Sequence, residues 1–267
     1  MKIIYQNNQT SDEFWSSYWS NVSRDPDNIS DKSIYPLFPI DEYIIPGMKI
    51  LEAGCGMGRV LKHYYYQNYF IVGLENFFDC LKFLIKEQPS FPLIHGDIRD
   101  LPLQNETMDV VLCFGSISCL EHRHNEALVE MRRVLKDEGL IVVGAACDNI
   151  LRRFQNFLGF CHYLLLKSFG KNCQRNFFSR AFKPHELKTY LENEGFKVIR
   201  LEPAHSKIIF WKFFSFLREN KKENIELNRD GDRGYKLNSF GEMIFNFMRT
   251  RWPWFIAVGV SCVARKN

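Results

Sequence analysis

A chain of 267 residues with net charge +4 and 46% hydrophobic residues has the size and composition of one soluble α/β domain. So mild a charge excludes a nucleic-acid specialist, which carries a dense basic stripe. The eight cysteines show no C-x-x-C or Cys/His zinc spacing, and no apolar run reaches 18 residues, which argues against a zinc module and a membrane span.

In chain order, residues 1–47 read as an N-terminal helical arm. Ser11-Asp12 is a candidate N-cap, and Phe14, Trp15, Tyr18 and Trp19 recur at helical spacing. Such a helix either packs its aromatic face on the domain or closes over a site as a lid. Asp25 to Pro46 reads as a loop ending in a Pro46-Gly47 turn.

Met48, Ile50 and Leu51 then read as a short buried strand. Glu52-Ala53-Gly54-Cys55-Gly56-Met57-Gly58-Arg59 follows, with Val60, Leu61 and His63-Tyr64-Tyr65 opening a helix. A glycine-rich turn between strand and helix lets a ligand touch the backbone beside unpaired N–H donors of the helix. A dinucleotide fingerprint G-x-G-x-x-G would need glycine where Arg59 stands; the pattern is E-x-G-x-G-x-G instead.

Tyr69 to Leu74 is a second apolar run, closed by Glu75, which lies 21 residues after Gly54. A carboxylate at that distance sits at the tip of the second strand, where it can accept from ribose hydroxyls. Pro92 to Pro102 reads as a third short strand and a polar turn containing Asp97-Ile98. Met108 to Phe114 is a fourth strand, and Met131 to Val143 holds a helix end, a turn and a fifth strand. This alternation predicts a parallel sheet with right-handed crossovers. Lys183 to Glu194 reads as a helix ended by Gly195, Phe196 to Leu201 as a strand, and Phe255 to Ala264 as the last strand.

Two stretches exceed what the sheet needs, at about 149–181 and 205–251. The first ends in a basic-aromatic block, Lys167 to Arg180, that reads as a solvated face or the flank of a substrate site. Within the second, Lys207 to Arg218 is apolar nearly all round. It reads as an internal substrate cap, with a helix lying in a membrane interface as the alternative. Cys55, Cys113, Cys147 and Cys262 fall in or beside apolar strands as small buried hydrophobes of a reducing compartment. With no signal-peptide pattern, a cytoplasmic location is expected.

Over residues 48–146 the ordered motifs resemble the class I S-adenosylmethionine (SAM)-dependent methyltransferases, of the small-molecule type called methyltransferase type 11. The resemblance implies a Rossmann-like seven-stranded sheet, mostly parallel with an antiparallel last strand. Helices would cover both faces, the insertions would cap the substrate site, and 48–267 would form the methyltransferase domain. It implies SAM as cofactor. Glu52 would meet the methionyl ammonium, and Gly54, Cys55, Gly56 and Gly58 would curve under the methionine and ribose. Glu75 would hold the ribose diol, Asn76 and Phe77 would border the adenine, Asp97 would accept from its exocyclic amine, and Ile98 would lie against the ring. Phe114 and Gly115 would border the methyl-transfer site.

Methyl transfer from a sulfonium needs alignment first and a general base only for a nucleophile that holds its proton. The Glu121-His122 pair after the fourth strand is familiar in small-molecule members of the family, which makes His122 the candidate base; a structural histidine is the competing role. No metal is expected. The family's Asp/Asn-Pro-Pro-Tyr/Phe motif for planar nitrogens is absent, with Cys113-Phe114-Gly115-Ser116 in its place, and no Pro-Cys dipeptide occurs. The expected reaction is methylation of a small molecule, aromatic or lipid-like, with an oxygen acceptor preferred. Two alternatives stay open: a membrane-surface enzyme acting on a lipid, and a non-catalytic SAM-binding partner subunit.

Overall fold

The computed structural model describes residues 1–7, 13–15, 17, 42–207, 210–211, 214–219 and 236–267. Tyr18, Trp19, the proposed cap Ser11-Asp12 and most of the 25–46 loop lie outside them.

The parallel strands are β2 (Lys49–Ala53), β3 (Phe70–Glu75), β4 (Leu93–His95), β5 (Met108–Phe114) and β6 (Leu135–Cys147). Two more, β8 (Phe196–Ala204) and β9 (Gly259–Lys266), complete the order β4-β3-β2-β5-β6-β9-β8, with β9 antiparallel to both of its neighbours. The helices are α1 (Arg59–Tyr65), α2 (Phe78–Glu87), α3 (Ser116–Cys119), α4 (His124–Val134), α5 (Ile150–Ser168), α6 (Pro184–Asn193), α7 (Ser239–Arg251) and α8 (Pro253–Ile256).

The central strands are continuous apolar runs because both faces of the sheet are covered. Alternate residues serve opposite layers. Leu51, Val111, Cys113, Ile141 and Val143 pack with Leu128 and Met131 of α4 and Leu187 and Leu191 of α6. Ile50, Val110, Leu112 and Val142 pack on the other side with Val60, Leu61 and Tyr64 of α1 and Leu84 of α2.

Seven strands are expected from the sequence, but the sheet has nine among the described residues. The additional pair comes from segments read as a helical arm and an insertion. β1 (Lys2–Asn7) pairs antiparallel with β7 (Arg175–Phe182), and Ala181 and Phe182 of β7 pair with Ala146 and Cys147 at the end of β6. β5 stops pairing at Phe114–Gly144, while β9 occupies the other flank of β6 as far as Ala146. The ribbon β1–β7 therefore fills the flank that β5 vacates, above the carboxyl end of the sheet. Its first strand alternates, with Ile4 buried and Ile3 and Tyr5 exposed. The pattern is short and its partner distant in sequence, so the strand is hard to read locally.

The 205–251 stretch builds a separate small core from Phe210, Trp211, Leu217, Leu237, Phe245 and Ile256. Phe210 and Trp211 are buried, which favours the cap over an interfacial helix for Lys207 to Arg218. Ile208, Ile209, Lys212 and Phe213 lie outside the described residues, and Ser215–Leu217 is a single 3₁₀ turn. No helix among the described residues is long and apolar enough to cross a membrane.

Candidate active site

Moving outward from β2, the chain returns through β3 and β4 on one side and through β5 and β6 on the other. This reversal opens a crevice at the carboxyl ends of β2 and β5, the usual ligand position in such sheets. The glycine loop sits in it. Gly54 and Cys55 donate their N–H groups to Leu74 O at 2.8 and 2.9 Å, and Gly58 donates to Cys55 O at 2.8 Å. Gly54 has φ +83°, and a Cβ there would lie 1.9 Å from Ser116 Oγ. Only glycine suits both the left-handed backbone and the close approach of the β5–α3 turn. Ser116 Oγ donates to Gly54 O at 3.4 Å, so this serine closes the crevice from the β5 side.

Two buried carboxylates hold the loop. Glu52, 4% exposed, accepts from Leu61 N in the first turn of α1 at 2.7 Å. Burial pushes its carboxyl up to about 8; the Leu61 N–H and the Arg59 charge pull the other way, and nearby Glu75 adds to the rise. Glu75 accepts from Gly56 N at 2.8 Å through one oxygen, and from Asn76 N and Phe77 N at 2.9 Å each through the other. It thus ties the loop to the tip of β3. A carboxylate has about four acceptor sites; three N–H groups leave room for a further hydroxyl donor.

The remaining expected residues divide. Asn76 is exposed and its carbonyl lies 3.0 Å from His95 Nε2; Phe77 is half-buried at the start of α2. Ile98 is buried in the core beside the loop strand. Cys55 is buried too, and burial drives its thiol far above the usual range. Phe114 packs partly buried against the α1 side, and Gly115, φ +85°, turns the chain into α3.

Asp97 is engaged elsewhere. Its oxygens accept from Arg99 N at 2.8 Å, from Arg99 Nε at 2.9 and 3.0 Å, and from Arg99 Nη2 at 2.5 Å. The guanidinium holds the Asp97 carboxyl below its usual range. To meet an exocyclic amine, Asp97 would have to release part of this bidentate grip.

His122 stands in the turn before α4 with its side chain 78% exposed, and Glu121 Oε1 is 3.9 Å from its Nε2. The turn itself is fixed from below: buried Arg180 of β7 donates to Leu120 O at 3.1 Å and to Glu121 O. Arg180 and Ser116 have structural roles at the site that motif reading did not assign. Ser116 has one signal, its place directly after the fourth strand; Arg180 has only its place in the Lys167 to Arg180 block, read as a solvated face or the flank of a substrate site, because no local pattern marks β7. Phe14 and Trp15 of the arm pack on Phe178 of β7, with ring centroids 4.8 and 6.2 Å apart. Trp15 also lies within reach of Cys119 in α3, so the arm's described aromatics rest beside the crevice. Among the described residues no group of three or more His, Cys, Asp or Glu is arranged to hold a metal.

Residues 51–143 match the family described as "Methyltransferase domain". The chain is similar to the ubiquinone/menaquinone biosynthesis C-methyltransferase UbiE of Campylobacter jejuni, 25% identical over 186 residues, covering 65% of this chain and 77% of that one. It is also similar to a malonyl-[acyl-carrier protein] O-methyltransferase of Yersinia pestis, 26% identical over 108 residues, covering 39% of each. Among solved structures, a SAM-dependent methyltransferase from Methanosarcina mazei shares the fold, with a TM-score of 0.57 and 13% identity over 87% of this chain and 98% of that one. The matched domain, these relatives and the glycine loop at the sheet's reversal agree: residues 51–143 match a methyltransferase domain, the chain is similar to methyltransferases over a longer stretch, and it shares the fold of a SAM-dependent one.

Proposed function

We propose that this protein binds SAM in the β2–β5 crevice and catalyses methyl transfer to a small-molecule acceptor. The observation that carries the reading is the closed glycine loop. Gly54 has no space for a side chain against Ser116, and the Glu75 carboxylate is drawn onto Gly56 N with acceptor capacity left over. That cradle suits a ribose and a methionyl chain lying on bare backbone. SAM brings a methyl group already activated on a sulfonium. The chain's own task is to orient, exclude water and accept charge.

In this reading Glu75 accepts from the ribose, and Gly54, Gly56 and Gly58 supply the backbone floor. Glu52 faces the methionyl ammonium and is ionised by it. Phe114, Gly115 and Ser116 wall the acceptor side. Asn76, Phe77 and Ile98 border the adenine, with Asp97 reaching it once Arg99 yields. An oxygen acceptor remains the preferred chemistry, with His122 as its base. A side chain as exposed as His122 can take a proton directly only from an acceptor bound at the mouth of the crevice.

Calorimetric titration with SAM and S-adenosylhomocysteine tests the proposal, with NAD as control and Glu75→Ala as variant. Micromolar binding of both sulfur ligands, none of NAD, and loss in Glu75→Ala are the expected results. Because Glu75 also holds three backbone N–H groups, thermal melting of the variant must accompany the titration. Folded wild-type protein that binds neither ligand would overturn the reading.

A further inference from the structure

Helix α5 follows β6 directly, and none of its 19 residues is fully buried. Its outward face carries Ile150, Phe154, Phe157, Leu158 and Leu165, with Phe169 just beyond its end; exposure runs from 45% at Leu158 to 74% at Phe169. The spacing i, i+4, i+7, i+8, i+15 keeps these side chains on one stripe of a 3.6-residue helix. The far side is the one that packs: Arg152 Nη2 donates to Val258 O at 2.8 Å and Arg175 of β7 lies 5.9 Å from the Tyr163 ring, while Leu151 at the stripe's edge joins the cap core. Phe255, 40% exposed, extends the patch at the N-terminal end, where its carbonyl accepts from Asn149 Nδ2 at 3.1 Å. A contiguous apolar stripe this long on a protein surface calls for an occupant.

The charges around the stripe point to which one. Between Asp148 and Glu186 the chain has no acidic residue; of its seven lysines and arginines, Arg152, Arg175 and Arg180 are engaged inward, at Val258 O, the Tyr163 ring and the Leu120 and Glu121 carbonyls. Lys167 and Lys171 are exposed at the C-terminal end of α5. Arg153 flanks the N-terminal end, where Asp148 pairs with it at 2.7 Å. A second copy meeting this face about a twofold axis would bring cations against cations with no carboxylate of the segment to answer them. An anionic lipid surface answers them directly: phosphate headgroups meet the lysines while the phenyl and leucyl side chains enter the acyl boundary.

We propose that α5 seats this protein on anionic membranes, its apolar stripe in the interface and Lys167 and Lys171 on headgroups. This docking is independent of the methyl-transfer reading, because it needs neither cofactor nor acceptor. It also assigns membrane contact to a different segment from Lys207 to Arg218, whose Phe210 and Trp211 are spent on the cap core.

Vesicle co-sedimentation without cofactor tests it, using phosphatidylcholine vesicles with and without phosphatidylglycerol. The wild type should pellet with the anionic vesicles and far less with the neutral ones. Phe157→Glu/Phe169→Glu should lower the partition coefficient about tenfold or more. Lys167→Glu/Lys171→Glu, which leaves the apolar stripe intact, should lower it about tenfold on anionic vesicles. Both double variants alter exposed positions and should keep the wild-type melting temperature. Failure of the wild type to bind either vesicle, or undiminished binding by both variants, would overturn the proposal. So would a concentration-dependent dimer that Phe157→Glu/Phe169→Glu dissolves, since that result gives the face to a second copy.

Discussion

The glycine loop and the aromatic cap face the same end of the sheet but are held by different forces. At the loop, position is set by the backbone: three bonds to carbonyls and one to the Glu75 carboxylate fix the N–H groups of Gly54, Cys55, Gly58 and Gly56, and Glu52 fixes the head of α1 through Leu61 N. At the cap, position is set by side chains: Trp211, Phe210 and Phe245 pack into a core of their own, and Arg218 lies over the Trp211 ring at 4.2 Å while its Nε donates to Trp211 O at 2.6 Å. A backbone-built site tolerates almost no change of shape and little change of charge. A side-chain-built cap tolerates changes at its surface and collapses only when its centre is removed.

The cap gives the larger expected effect. Trp211→Ala removes a ring that is 1% exposed, whereas Phe216→Ala removes one that is 58% exposed in the same stretch. Urea unfolding should show a loss of about 3–5 kcal/mol for the first and no more than about 0.5 kcal/mol for the second. Equal losses would mean that the cap core is not the cooperative unit described above. At the loop, Gly54→Ala should cost about 2–4 kcal/mol, combining a non-glycine residue in the left-handed region with overpacking against Ser116. Adding Ser116→Gly should return the overpacking part and leave the backbone part. A double-mutant cycle read by unfolding separates the two. If Ser116→Gly rescued nothing, the contact between the β2 and β5 turns would not be what demands glycine.

This contrast also explains what could be read from the residues alone. The loop, Glu52 and Glu75 were legible because backbone geometry needs glycine at fixed spacing, and a carboxylate at the next strand's tip follows from strand length. The two-layer core was legible because a parallel sheet covered on both faces must be apolar at every position. β1 and β7 were not, because their pairing brings Lys2 against Ala181, and no local pattern in either strand names the other. The Asp97–Arg99 grip was equally hidden: a motif assigns the carboxylate a ligand, but only coordinates show that a neighbour already holds it. The outward stripe of α5 was present as a run of Phe, Tyr and Leu, yet composition cannot say which face of a helix the fold leaves uncovered.

The sharpest effect on binding should come from pH. The Glu52 carboxyl is raised by burial from 4.5 in its reference state to about 8. A raised carboxyl means that the native state keeps a proton the unfolded state gives up. Its contribution to stability therefore falls as pH rises through that window, and levels off above the native value. An ammonium placed beside Glu52 favours the ionised form and reverses the balance locally. SAM binding near pH 7 should then release about one proton per site, and affinity should rise about tenfold per pH unit between roughly pH 6 and 8. Titration at pH 7 in two buffers of different ionisation enthalpy measures the proton directly. Glu52→Gln keeps an acceptor for Leu61 N, so the capping bond at the head of α1 survives while the titration disappears. In that variant proton release should vanish and the affinity should lose its pH slope, with unfolding stability at pH 7 preserved or raised. Proton release that persisted unchanged in Glu52→Gln would move the ammonium contact away from Glu52. Gly54, Gly56 and Glu75 would then be left as the part of the cradle that the loop geometry requires.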